Sequence, residues 1–343
     1  MTIILQKIMN PKCQEGTVFY FFCSICIIMV LVFGYTKTFS PGPLRQSKTV
    51  VIQKGARRVE IAALLKDAGI IDSPHFFHFL SRVRFGSLKA GEYTFYSWIS
   101  LWDVLKILNE GRVVVHSFRV PEGLSSFEII QRLNATQPLS GYIFDIPPEG
   151  ALLPSTYFFH YGDDRRDILN RMERAMSDTL KKLWAERDPN LFLESPEEAL
   201  ILASIVEKET WHANERRRIA GIFINRLKAG MILQADPTLI YGLTQGRKNL
   251  GRALLRSDLK KETPYNTYLI LGLPPTPICN PGKACIEAVL HPLPTTELYF
   301  ISDGQGRHHF SSGYKKHAQH HHHLRTLRKS SAKQQKKSKN SAS

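Results

Sequence analysis

Two carboxylates close an apolar helix in the middle of the chain. The run Ala199-Leu200-Ile201-Leu202-Ala203-Ser204-Ile205-Val206 is apolar on every face and leads into Glu207-Lys208-Glu209-Thr210. A helix of that kind is buried all round. Glu209 shares the face of Leu202 and Ile205 by helical spacing. A carboxylate at the mouth of an apolar groove is poorly solvated, so its pKa should rise. A carboxylic acid neutral near pH 7 suits the protonation of a leaving glycosidic oxygen. Glu207 points roughly 160° away around the same helix. Spacing alone does not choose between the two, and both could simply pair with Lys208 or the Arg216–Arg218 run.

Further polar and aromatic residues stand in turn-like settings. One group is Gln234, Asp236 and Thr238, with Tyr241 just beyond. Another is Tyr265, Asn266 and Tyr268, followed by the proline-rich loop of residues 272–278. Rings interleaved with amides and carboxylates suit sugar binding, although ordinary turn chemistry uses the same residues. His308, His309 and the run His320 to His323 lack a Cys or Asp at ligand spacing, so no metal site is expected. Cys23 and Cys26 form a C-x-x-C pair without the neighbouring βαβ pattern a redox motif needs. Cys279 and Cys285 could be joined if the segment is exported. No P-loop, dinucleotide glycine motif or Gly-x-Ser-x-Gly is present.

Composition bounds the rest. The chain has 343 residues, 43% hydrophobic and 22% charged, and a net charge of +16. This excludes wholesale disorder and points to an anionic neighbour. Much of the charge lies beyond Lys315, in a Ser-, His- and Lys-rich stretch without an acid. No nucleic-acid fold signature accompanies it.

These residues need elements to position them. Residues 18–35 are uncharged and just long enough to span a bilayer as a helix. Lys7 and Lys12 precede them, which favours a cytoplasmic N-terminus. No small-x-small cleavage site follows closely, so an uncleaved anchor is expected rather than a signal peptide. Residues 37–48 read as a linker and 49–120 as a small α+β unit. That unit has strands at 49–52, 91–95 and 113–120, and helices at 59–68, 75–83 and 101–108. Gly55 and Gly123 stand at matching places in a weak strand–turn–helix repeat. Ser125 and Glu128 have capping-box spacing. A long helix follows at 165–186, and Ser195-Pro196-Glu197-Glu198 opens the helix that carries Glu209. A strand is expected at 268–271. Residues 318–343 read as a disordered tail.

The block Ala203 to Thr210 resembles the signature helix of the endolytic murein transglycosylases, the YceG-like family. Ile222 to Leu227 is similar to the family's next block, and Leu233 to Gly242 to the one after. Pro264 to Tyr268, Gly272 to Pro275 and Leu298 to Phe310 follow in family order. Thr276 stands where Gly is usual, and Ser155 where Asp is common. The resemblance implies an α+β protein: a transmembrane helix, a LysM-like module, then a mainly helical, lysozyme-like catalytic domain over 121–317. It implies that Glu209 alone is catalytic, first as acid and then as base. The product would be a 1,6-anhydro-MurNAc end, made without water or cofactor. Substrate contacts are expected from Gln234, Asp236, Thr238, Tyr241, Tyr265, Asn266 and Tyr268. The expected partners are peptidoglycan, the bacterial inner membrane and peptidoglycan synthases, with the catalytic domain in the periplasm and no nucleic acid. Two rivals stay open: a muramidase using Glu209 with Asp236, and an inert tethered scaffold.

Overall fold

Apolar periodicity divides the chain into helices that need cores, and the computed structural model builds three among the described residues, one in a first unit and two in a second. It describes residues 11–303 and 307–323, with side chains from residue 19. The expected cytoplasmic residues 1–10, Gly304 of the last family block, and the basic tail from 324 onward lie outside the described residues.

The first unit comprises residues up to His116 together with 160–162. Helix α1, Pro11–Phe39, contains a span at Phe19–Phe39 long and apolar enough to cross a membrane, with mean hydropathy 2.2. Strand β1, Lys48–Ile52, pairs antiparallel with β2, Gly91–Phe95, placing Val50 opposite Tyr93. Between them run α2, Arg58–Asp67, and α3, Pro74–Arg84; α4, Leu101–Glu110, follows. Alternation on the strands and i, i+4 spacing on the helices send Ile52, Ile61, Leu65, Phe77, Tyr93, Phe95 and Leu105 into one core. The stretch read as a linker is not loose. Leu44 joins the core, and the Gly42 amide donates to the carbonyls of Trp98 and Ile99 at 3.3 and 3.1 Å.

The second unit holds the remaining described residues. The expected strand over 113–120 shrinks to β3, His116–Arg119, which pairs with β4, Thr156–Phe159. Helix α5, Ser126–Ala135, opens with the full capping box from Ser125 and Glu128. Helix α6, Arg165–Ala185, leads to α7, Pro196–Glu209. The start of α7 differs from expectation. Ser195 Oγ accepts from the Glu198 amide at 3.1 Å, but the Glu198 carboxylate reaches past Ser195 to the Glu194 amide at 2.8 Å.

Helices α8, Ala213–Lys228, and α10, Lys283–Leu290, pack on α7; α9, Asp236–Thr244, lies between them in sequence. Leu202, Ala203, Ile205 and Val206 of α7 are fully buried among Ile219, Phe223, Ile286 and Val289. The hairpin of β5, Tyr299–Ser302, and β6, His308–Ser311, follows. No strand forms at 268–271. The Asn266 carboxamide accepts from the Tyr268 amide and donates to the carbonyls of Leu259 and Lys261, which bends the chain into turns. Residues 314–323, partly assigned to the tail, are helical.

Candidate functional site

Glu209 is the last residue of α7, and Thr210 caps the helix in extended conformation. It opens on a cleft of about 490 Å³ with Arg226, Gln234, Asp236, Tyr268 and Tyr299 along its walls. A neighbouring hollow of about 420 Å³ shares Glu209, Ser302 and His308 with it and adds Trp211. Burial is the first cause that pushes the Glu209 carboxyl up, to about 8; the negative charge of Asp236 adds to it, and the Arg226 guanidinium opposes it. The acid is therefore protonated through neutral pH, and a cation stands near enough to favour its conjugate base.

The residues around Glu209 come from four segments. Asp236 starts α9, where Pro237 fits the first turn. Its Oδ1 accepts from the Tyr268 hydroxyl at 2.5 Å, and burial is the main reason the Tyr268 phenol stays protonated. Gln234 adopts the left-handed conformation, φ +53°, so the chain turns sharply just before α9. Arg226, buried near the end of α8, donates from Nε to the Leu298 carbonyl and from Nη1 to the Leu233 carbonyl, both at 2.7 Å. It thus ties β5 and the Gln234 turn to α8, and its guanidinium lies over the Tyr299 ring at 5.3 Å. Glu215 accepts from both the backbone amide and the Nδ1 of His308, at 3.1 and 2.7 Å, which fixes the imidazole beside Glu209.

Of the expected site residues, Gln234, Asp236 and Tyr268 share the cleft with Glu209. Thr238 and Asn266 do not reach it, since both are fully buried. Thr238 Oγ1 bonds Thr267 Oγ1 and the Ala235 carbonyl, each at 2.8 Å, and stitches the 263–268 turns to α9. Tyr241 and Tyr265 pack edge to face, 4.9 Å between centroids, and line neither hollow beside Glu209. The Tyr265 hydroxyl pairs with Thr276 Oγ1 at 2.8 Å, so the unusual threonine completes that corner. Ser155 is exposed, and its carbonyl accepts from the Val120 amide.

Glu207 borders the smaller hollow too, but its carboxylate is engaged by the backbone. Its Oε2 accepts from the Gly282 amide at 2.8 Å, at the N-cap of α10. Cys279 and Cys285 are free, buried thiols rather than a disulfide. Cys279 Sγ donates to the Ser204 carbonyl, and burial, with Glu207 nearby, pushes the Cys285 thiol up. Among the described residues no His, Cys, Asp and Glu group could hold a metal.

Sequence reasoning missed Arg226, Tyr299 and the Glu215–His308 pair. Arg226 and Tyr299 stood inside stretches matched to the family, but no periodicity announces a guanidinium that serves carbonyls on remote loops. Glu149 was missed too. Burial raises its carboxyl to about 7, while it accepts from the Ser126 amide at 2.9 Å and from Asn280 Nδ2 at 3.4 Å.

The chain matches the YceG-like family over residues 50–323. It is 30% identical over 321 residues to an endolytic murein transglycosylase of Bacillus subtilis (strain 168), covering 83% of this chain and 88% of that one. An endolytic murein transglycosylase of Streptococcus pneumoniae serotype 2 (strain D39) is 26% identical over 78% of this chain; the chain spans 57% of that relative's length. The crystal structure of a YceG-like protein from Listeria monocytogenes is 29% identical, with a TM-score of 0.49 over 80% of this chain and 99% of that one. With a family match across most of its length, this chain belongs to the YceG-like family.

Proposed function

We propose that this chain is a membrane-anchored endolytic peptidoglycan transglycosylase with Glu209 as its one acid/base. The observation that carries the reading is the carboxyl at the end of a buried helix, pushed up to about 8 by burial, facing an open cleft with the Arg226 guanidinium on its wall. Glu209 protonates the oxygen between MurNAc and GlcNAc. Its carboxylate, stabilised by Arg226, then takes the proton of the MurNAc C6 hydroxyl as that oxygen attacks C1. The strand ends in 1,6-anhydro-MurNAc, and no water needs a separate base. Gln234 and Tyr268, which line the cleft with Glu209, contact the glycan in this reading. The first unit, with its β-α-α-β order, acts as a LysM-like wall-binding module, and the second as a lysozyme-like catalytic domain. The enzyme ends nascent strands beside the synthases, on the periplasmic side of the inner membrane, with its N-terminus in the cytoplasm.

Asp236 supports a second reading, because it shares the cleft with Glu209 and glycosidases work with two carboxylates. Mass spectrometry of peptidoglycan digested by the purified chain, beside Glu209→Gln, decides between them. Anhydro ends from wild type alone establish the transglycosylase. Reducing ends would replace it with a hydrolase using Asp236. Wall binding without any product would leave a scaffold.

A further inference from the structure

The last turn of α1 is fixed to the first unit rather than hinged on it. The aromatic rings of Phe39 and Trp102 lie 5.3 Å apart, and Trp102 meets Phe85 at 5.1 Å. The Trp98 amide donates to the Leu44 carbonyl at 2.7 Å, just past the helix. A Cβ on Gly42 would sit 2.3 Å from the Ile99 carbonyl oxygen, so only glycine lets the exit segment lie this close.

This attachment sets the level of α3. At its start, Ser73 and Phe76 share a pocket of about 240 Å³ with Thr36, Lys37 and Ser40. At its other end, Phe85 reaches Phe39 through Trp102. A helix of 11 residues is about 16 Å long. A helix with both ends within a side chain or two of the end of α1 runs across it, not away from it. The span Phe19–Phe39 is about 31 Å long as a helix, close to the hydrocarbon thickness of about 30 Å. Phe39 therefore lies near the boundary, and α3 lies at the same level.

The outer face of α3 suits that place. Phe77 and Ser81 face the core, whereas Phe79 and Val83, one turn apart, are 61% and 68% exposed. Arg82 and Arg84 are exposed beside them, and α3 carries no acid. Apolar and basic residues on one surface helix are the pattern of a helix lying in the headgroup layer. We propose that α3 lies in the outer headgroup layer of the membrane that α1 crosses, with Phe79 and Val83 in the acyl boundary and Arg82 and Arg84 on anionic phosphate headgroups. This rests on the reading of α1 as an uncleaved anchor.

The test uses the full chain in vesicles of zwitterionic lipid with or without anionic phospholipid. Phe79→Trp and, independently, Val83→Trp each add a fluorophore to the wild-type background. The added emission should shift to the blue and be quenched more by bromines near the headgroup than by bromines deep in the acyl chain. Arg82→Glu with Arg84→Glu should weaken quenching in anionic vesicles only. Flotation of the same samples separates the two readings. A chain that floats with neither added tryptophan quenched overturns the placement of α3 and leaves the anchor standing. Concentration-dependent crosslinking through α3 without quenching would give the face to a second copy instead. A chain that does not float removes the anchor and this inference together.

Discussion

Glu207 and Glu209 stand two residues apart at the end of one helix, and the fold gives them opposite fates. Glu207 turns toward α10, where the Gly282 amide supplies a donor. Glu209 turns toward the cleft, where burial and Asp236 hold its proton. Chemical type and local sequence are nearly the same. The difference is whether a remote segment brings a hydrogen-bond donor to the carboxyl, and it decides which of the two is tied into the fold.

Substitutions on the two faces should therefore separate. The largest expected effect is on turnover: Glu209→Gln removes the only acid/base proposed and should lower the rate of strand cleavage by about two to four orders of magnitude, read as anhydro product over time. If Glu207→Gln cost as much, the contrast between the faces would collapse.

The same Glu209 substitution should raise stability on the alkaline side. The carboxyl is raised from 4.5 to about 8. Above 4.5 the unfolded chain releases this proton while the fold keeps it to about 8, so stability falls across that window, and the loss is absent below 4.5. Urea unfolding of Glu209→Gln should match wild type at the acid end and exceed it by as much as about 5 kcal/mol above pH 8. Equal stability at both ends would mean that Glu209 is solvated.

Glu207→Ala should do the reverse. It leaves the Gly282 amide without its acceptor and should cost about 1–3 kcal/mol of stability while turnover per folded molecule holds. Smaller still, Asp236→Asn removes a charge that raises the Glu209 carboxyl. The alkaline limb of the pH–rate profile should move to lower pH; an unmoved limb would show that Asp236 does not act on Glu209. Loss of all activity with anhydro chemistry absent in wild type would instead favour the hydrolase.

The same contrast shows what was legible in the residues. The helix starts were: Ser125 and Glu128 form the box their spacing implies, because capping is a local interaction. Ser195 caps α7 too, yet Glu198 turns to the Glu194 amide instead, since more than one local donor was within its reach. The residues expected to contact substrate part ways in the fold. Gln234, Asp236 and Tyr268 reach the cleft, whereas Thr238 and Asn266 spend their polar atoms on the turns that hold it. A polar residue in a turn looks the same in sequence whether it faces a ligand or its own backbone.

By itself the sequence determined that α7 would be buried, that a carboxylate would end it on the face of Leu202 and Ile205, and that residues 18–35 were apolar enough to cross a bilayer. Periodicity and hydropathy suffice for these, because they depend on neighbours within a turn or two. Only the tertiary structure decided that Glu207 is satisfied by a residue 75 positions away. It also decided that Arg226 holds Leu298 and Leu233 in place, and that Tyr268 holds Asp236. The proton affinity of a carboxyl follows from which distant groups solvate it or fail to, and that is settled when the chain closes on itself.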